Sequence, residues 1–221
     1  AEVLDDEVRR IIAPDKLDTA QWLQVMETAH QLGFHTTSTI MFGHIDAPVH
    51  WARHLLALKN LQRRYHGFTE FVPLPFVAAE APMYLKGRSR SGPTFREAVL
   101  MHAVSRLTLY PEITNIQASW VKLGPGGLAA CLHAGANDAG GTLMNESITR
   151  AAGAEHGQEI SPMEMEALIR AAGREPWQRL TTYRESPDER KTVALGAASL
   201  LPIVNTPLRR RISVASRNYL R

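Results

Sequence analysis

Helical periods that alternate with short β-branched runs constrain this chain more than any other feature of its sequence. Asp18 can cap a helix whose apolar positions Trp22, Val25, Met26, Ala29 and Leu32 fall at helical spacing, and Gly33 stops it. Thr36 to Gly43 follows directly, rich in β-branched residues and closed by glycine, which predicts a short buried strand. Pro48 opens the next helix, with Trp51, Leu55 and Leu58 on one face and Gly67 at its end. Phe68 to Val72 predicts a second strand that stops at Pro73 and Pro75, since neither proline can donate to a ladder. Thr94 and Glu97 form a capping box for a helix to about Leu109. Ile113 to Val121 predicts a third strand, followed by a glycine-rich turn at 124–127 and a short helix. Cys131 to Ala136 predicts a fourth strand.

Short strands separated by helices imply parallel βα units, because parallel neighbours need a long crossover. Four units suit half of an eight-stranded barrel or a doubly wound sheet, and local pattern does not separate the two. In both, ligands bind beyond the carboxyl ends of the strands. The positions to inspect are therefore Gly43 to Asp46, Pro73 to Phe76, Ser119 to Lys122 and Ala136 to Asp138. Past Thr142 the pattern turns mostly helical. Ser161, Pro162 and Glu164 mark a capped start, Gly173 marks the end, and Leu180 to Tyr183 reads as a short extended piece.

Composition narrows the chemistry. The one cysteine, Cys131, excludes an intramolecular disulfide and any thiolate-only metal or iron–sulfur site made by this chain alone. No apolar run approaches the roughly 18–20 residues of a membrane span, and no basic-then-apolar leader opens the sequence. A cytoplasmic, membrane-free protein is expected, and the abrupt start at Ala1 suggests a fragment. The formal net charge is +3, and the five arginines between Leu208 and Arg221 account for the excess. Without aromatic–basic interleaving elsewhere, no nucleic-acid partner is expected and the tail reads as a solvated terminus.

Several positions could carry chemistry. His44 and Asp46, after the first strand, suit proton transfer or the orientation of a polar substrate. The plainer alternative is that Asp46 caps the next helix and His44 bonds backbone. His50 and His54 stand four apart on a helix, but Trp51 occupies the place of the glutamate that a zinc-protease motif needs, so they read as surface or packing residues. The glycine-rich turn lacks both the dinucleotide and the P-loop fingerprints. In the run Ala134 to Glu146, glycines permit close backbone approach while Asn137 and Asp138 offer donors and acceptors.

That run resembles the signature of radical S-adenosylmethionine (SAM) enzymes that make the deazaflavin precursor FO, in their second-subunit form or as the C-terminal half of a fused FO synthase. Further matching pieces are Ala1 to Arg9, Thr39 to Asp46, Gly67 to Phe76, Gln117 to Gly124 and Thr149 to Gly157, in family order over residues 1 to about 185. The resemblance implies an α/β fold: about strands five to eight of a radical SAM (β/α)8 TIM-like barrel over residues 1–142, and a mostly helical cap over 143–185. Residues 186–221 then form a helical or disordered basic tail. It implies a transferase that joins the 4-hydroxybenzyl group of L-tyrosine to 5-amino-6-(D-ribitylamino)uracil, beside a first-subunit-type FO synthase, separate or fused. The implied cofactors are SAM and a 4Fe-4S cluster. The family's Cys-x-x-x-Cys-x-x-Cys loop is absent here, so the cluster ligands are not in this chain and it is expected to be inactive alone. Strand-end position within the motifs suggests His44 and Asp46 for proton handling or substrate polar groups. It likewise suggests Gln117, Ser119, Asn137 and Asp138 for contacts to SAM or the ribityluracil. An aminofutalosine-synthase-like enzyme of menaquinone biosynthesis, and a noncatalytic half-barrel that associates with a partner, are the alternatives.

Overall fold

Capping residues set the boundaries of the helices. Asp18 accepts the Gln21 N–H at 2.8 Å while the Gln21 side chain accepts the Asp18 N–H at 3.1 Å, and Thr94 with Glu97 and Ser161 with Glu164 repeat the device. A computed structural model describes residues 1–142, 148–154, 156 and 159–198; the arginine-rich tail and part of the Thr149 to Gly157 motif lie outside the described residues. The elements are α1 (Asp6–Ile12), α2 (Thr19–Gln31), β1 (Thr36–Phe42), α3 (Pro48–Tyr65), β2 (Phe68–Pro75), α4 (Pro82–Leu85), α5 (Phe95–Leu109), α6 (Trp120–His133), α7 (Ile148–Ala151), α8 (Pro162–Ala171) and α9 (Asp188–Leu195). Among the described residues no helix is long and apolar enough to cross a membrane.

β1 and β2 pair in parallel, with Thr37 opposite Glu70 and Phe42 opposite Pro75. The same parallel order continues through single bridges, Phe71 to Ile116 and Gln117 to Asp138. Four chain segments thus lie side by side in sequence order, the last two shortened to a few residues. Side chains alternate across such a sheet. One face presents Ile40, Phe42, Phe71 and Ile116 to Leu55 and Leu58 of α3 and to Ala98 and Met101 of α5, forming the main core. Each such fully buried apolar side chain contributes about 1.5–3 kcal/mol. The opposite face carries Thr37, Thr39, Glu70, Gln117 and Asp138 together with the apolar Met41, Val72 and Leu74.

A second cluster packs Leu128, Cys131 and Leu132 of α6 against Ile160 and Met165. On the free side of β1 the Met41 N–H donates to the Glu2 carbonyl at 2.7 Å, and the Leu4 N–H donates to His54 Nδ1 at 2.9 Å. Burial pushes the His54 imidazole down to about 3, so it stays neutral and structural. His50 Nδ1 accepts the Ala47 N–H at 2.9 Å. Both histidines therefore serve packing and backbone satisfaction.

Four expectations about elements need correction. β2 runs on to Pro75 rather than ending at Val72. Phe71 turns its N–H and C=O toward the third segment, whereas the Phe76 N–H donates to Phe42 of β1. By that alternation the absent N–H groups of Pro73 and Pro75 fall on the side of the third segment, so the ladder to β1 keeps its donors while bonding to the third segment stops at the Gln117 N–H to the Phe71 carbonyl. The third strand does not reach Val121; α6 begins at Trp120, and the glycine-rich stretch is a break within it, at Gly124 with φ +68°. The His156 ring fills the place of a Gly124 side chain. Cys131 to Ala136 is not a strand. Cys131 and Leu132 continue the helical spacing from Leu128, and the fourth segment starts only after Gly135. Leu180 to Tyr183 forms the turn of a short hairpin closed by an antiparallel bridge from Arg179 to Glu185.

Candidate functional site

The loop after β1 folds around one carboxylate. Asp46 accepts the Gly43 N–H at 2.9 Å, the His44 N–H at 2.7 Å and the indole N–H of Trp51. Burial opposes its ionisation, yet these bonds and the nearby His44 ring hold it well below the usual carboxylate range. Gly43 adopts φ +95°, and Pro93 stands where its Cβ would be, 2.3 Å away. Only glycine fits there. Asp46 thus closes its own loop instead of capping α3.

His44 is 1% exposed and lies edge-on to Phe76, the residue that follows β2, with ring centroids 5.9 Å apart. Its Nε2 donates to the Met41 carbonyl at 3.0 Å. Nδ1 sits between the Ile45 N–H at 2.8 Å and Asp46 Oδ1 at 3.0 Å. A neutral ring accepts the first contact, and a protonated ring donates to the second. Both ring nitrogens are thus occupied by protein groups.

On the polar face a second carboxylate gathers three side chains. Asp138 Oδ2 accepts from Arg179 and from the Tyr183 hydroxyl, and Gln117 Nε2 stands 3.5 Å away; Oδ1 accepts the Gly140 N–H at 2.7 Å. The Arg179 guanidinium lies over the Tyr183 ring, 4.0 Å from its centroid. Tyr183 adopts φ +59°, a left-handed conformation that an aromatic residue takes only at a cost. Burial, the bond to Asp138 and the neighbouring charge of Glu70 push its phenol far up. Glu70 is buried and accepts from the hydroxyls of Thr37 and Thr69.

Asn137 and Asp138 part company. Strand alternation turns Asn137 toward α5, where its oxygen accepts the Ile116 N–H at 2.8 Å and Arg106 Nη2 at 2.7 Å. It faces away from the polar side, on which Asp138 stands. Ser119 is half-buried at the N-cap of α6 with no capping bond from its hydroxyl. Of the six expected site residues the structure brings Gln117 and Asp138 together and His44 and Asp46 together, and leaves Ser119 and Asn137 apart. Sequence reading missed Glu70, Arg179 and Tyr183. A carboxylate inside a buried strand was the visible signal for the first. The other two lie more than forty residues from Asp138 and carry no local motif.

Cys131 suits no metal cluster. It is fully buried between α5 and α6, beside His102 Nδ1 at 3.3 Å, and burial pushes its thiol up to about 12. Asp5, Glu7 and His50 bring ligand-type atoms together near α1, with His50 Nε2 3.8 Å from Glu7, but Asp5 is paired with Arg53 at 2.9 Å.

Residues 65–192 match the family model described as the CofH/MqnC C-terminal region. The chain is 50% identical over 202 residues to the FO synthase of Streptomyces coelicolor, covering 91% of this chain and 23% of that protein. It is 49% identical over 183 residues to the FO synthase of Mycobacterium leprae, covering 83% of this chain and 21% of that protein. Against the 5-amino-6-(D-ribitylamino)uracil--L-tyrosine 4-hydroxyphenyl transferase of Methanopyrus kandleri it is 50% identical over 183 residues, covering 83% of this chain and 50% of that protein. The chain therefore spans about a fifth to a half of the length of these relatives.

Proposed function

The chain belongs to the CofH/MqnC C-terminal region family, and on that premise we propose that it forms part of a transferase joining the 4-hydroxybenzyl group of L-tyrosine to 5-amino-6-(D-ribitylamino)uracil. The 50% identity to the Methanopyrus kandleri transferase, over most of this chain, carries the reading. FO-synthase names among the relatives favour it over an aminofutalosine-synthase-like activity.

The four parallel segments, with helices on one face and polar groups on the other, support a half-barrel over residues 1–142. They would be strands five to eight of a (β/α)8 barrel, their polar face turned to its interior. Residues 143–185 would cap it, with 186–221 a separate tail, and the location would be cytoplasmic. A first-subunit-type FO synthase, fused or separate, would be the partner.

SAM and a 4Fe-4S cluster belong to the same reading, as suppliers of radical chemistry. The residues of this chain do not fit the cluster. One buried thiol cannot replace three or four thiolates, so ligands would have to come from elsewhere. What the chain offers is polar positioning at the carboxyl edge of the sheet. Gln117 and Asp138 would face the substrates, with Ser119 at the rim. His44 and Asp46 would fix the first loop. Asn137 would secure the last segment to α5.

The test is an anaerobic assay of the full-length enzyme with SAM, L-tyrosine and the ribitylaminouracil. Coupled product is expected. Cleavage of SAM without any coupled product from the two named substrates would refute the reading.

A further inference from the structure

A parallel sheet is normally covered on both faces and reads apolar on both. This one is mostly apolar toward the helices and mixed on its other face, where Met41, Val72 and Leu74 accompany the polar side chains. Its other face carries Thr37, Thr39, Glu70, Gln117 and Asp138, and the C-terminal hairpin adds Arg179 and Tyr183 to it. Polar groups at such positions serve a polar occupant better than they serve packing, since ionic clusters rarely stabilise a fold more than apolar side chains of like size.

The cluster has two layers. Asp138 is 8% exposed and Glu70 is 7% exposed, so both stand behind. Gln117, Arg179 and Tyr183 are only partly buried and stand in front, and all three converge on the one oxygen, Asp138 Oδ2. Asp138 thereby fixes an amide, a guanidinium and a phenol in one geometry. Gln117 keeps its Oε1 acceptor beside Gly140, whose missing side chain leaves that oxygen room: a Cβ there would stand 3.2 Å from it.

We propose that Gln117, Arg179 and Tyr183 form the subsite for the hydroxyl-bearing side chain of the aminouracil, with Asp138 as their positioning residue. The assignment rests on the transferase reading above. Charge decides between the two substrates of that reading. Arg179 is already paired with Asp138, and a second carboxylate, Glu70, stands near Tyr183, so the patch offers no spare cation to the carboxylate of an amino acid. A neutral polyol suits it, because each hydroxyl can donate to Gln117 Oε1 or the phenol oxygen and accept from Arg179 or the Gln117 amide. The C-terminal hairpin, though remote in sequence, then completes the substrate site.

Calorimetric titration of the full-length protein tests this with two ligands, 5-amino-6-(D-ribitylamino)uracil and 5,6-diaminouracil, which lacks the ribityl chain. Gln117→Ala and Tyr183→Phe should each weaken the first ligand by roughly 5- to 150-fold, as expected when a buried partner is left unpaired. Affinity for 5,6-diaminouracil and for L-tyrosine should stay at the wild-type value. Arg179→Lys, which keeps the charge but loses the planar fork, should fall between wild type and Gln117→Ala. Far-UV circular dichroism confirms that each variant is folded. Equal weakening of both uracils, weakening of tyrosine alone, or unchanged affinity in folded variants would overturn the subsite. A wild-type protein that binds neither uracil would overturn the transferase reading, and the subsite with it.

Discussion

Replacing Asp46 with asparagine keeps the shape of the loop after β1 and changes what it can accept. Three donors meet the carboxylate: the Gly43 N–H reaches both oxygens, the His44 N–H takes Oδ1, and the Trp51 indole takes Oδ2. An amide has one oxygen. Whichever way it turns, either His44 or Trp51 faces an NH2 group and is left unpaired in a buried site. One such donor costs about 1–3 kcal/mol, and the surviving bonds lose their ionic partner, for a total of about 2–4 kcal/mol. In a protein of this size that lowers Tm by about 4–16 °C. The pH dependence has a definite sign. The folded carboxyl titrates below its unfolded value, so its contribution is complete above about pH 4 and fades as pH falls further. Thermal melts of both proteins by far-UV circular dichroism, from pH 7 down to pH 3, should show a constant gap that narrows below about pH 4. Melting points that coincide at pH 7, or a gap that widens in acid, would refute the described role of Asp46.

Asn137→Ala should cost about 1–3 kcal/mol in urea denaturation, because the Ile116 N–H and Arg106 lose their shared acceptor. Its affinity for the ribitylaminouracil should match wild type, and a selective loss of that affinity would place Asn137 in the site after all. Cys131, with its thiol pushed up to about 12, should react with a thiol reagent at pH 8 only after denaturation; rapid labelling of the native chain would contradict its burial. Anaerobic reconstitution of this chain with iron and sulfide should leave it without a stoichiometric 4Fe-4S cluster, checked by iron counting, and a full cluster would contradict the thiol argument.

Helix starts were legible because their signals are local: a capping box spans four residues, and Asp18, Thr94 and Ser161 each begin the helix that their chemistry demands. Strands were less so. Pro73 and Pro75 look like terminators until the side of the strand they face is known, and that depends on where a third segment leaves the sheet. Cys131 to Ala136 is apolar enough for either element, and only the spacing from Leu128 separates helix from strand. At the site, the turn Gly43 to Asp46 was visible through its position after a strand, whereas the bonds that Asp46 makes were not. Arg179 and Tyr183 could not be read locally, since what joins them to Asp138 is the return of the chain after α8.

Asn137 and Asp138 are adjacent and look in opposite directions, which makes the link ahead of them sensitive to length. Between the end of α6 and this pair stand only Ala134, Gly135 and Ala136. Gly135 lies at φ +115° with the Arg106 side chain where its Cβ would be, and the Ala136 N–H is bonded to the Cys131 carbonyl. That link has no slack to absorb a lost or added residue, so an indel there must come out of strand phase. A single insertion would swing the carboxylate toward α5 and the amide under Gln117, disconnecting the hairpin and the helix in one step. In evolutionary terms, related chains should differ at this point in residue type and not in residue count.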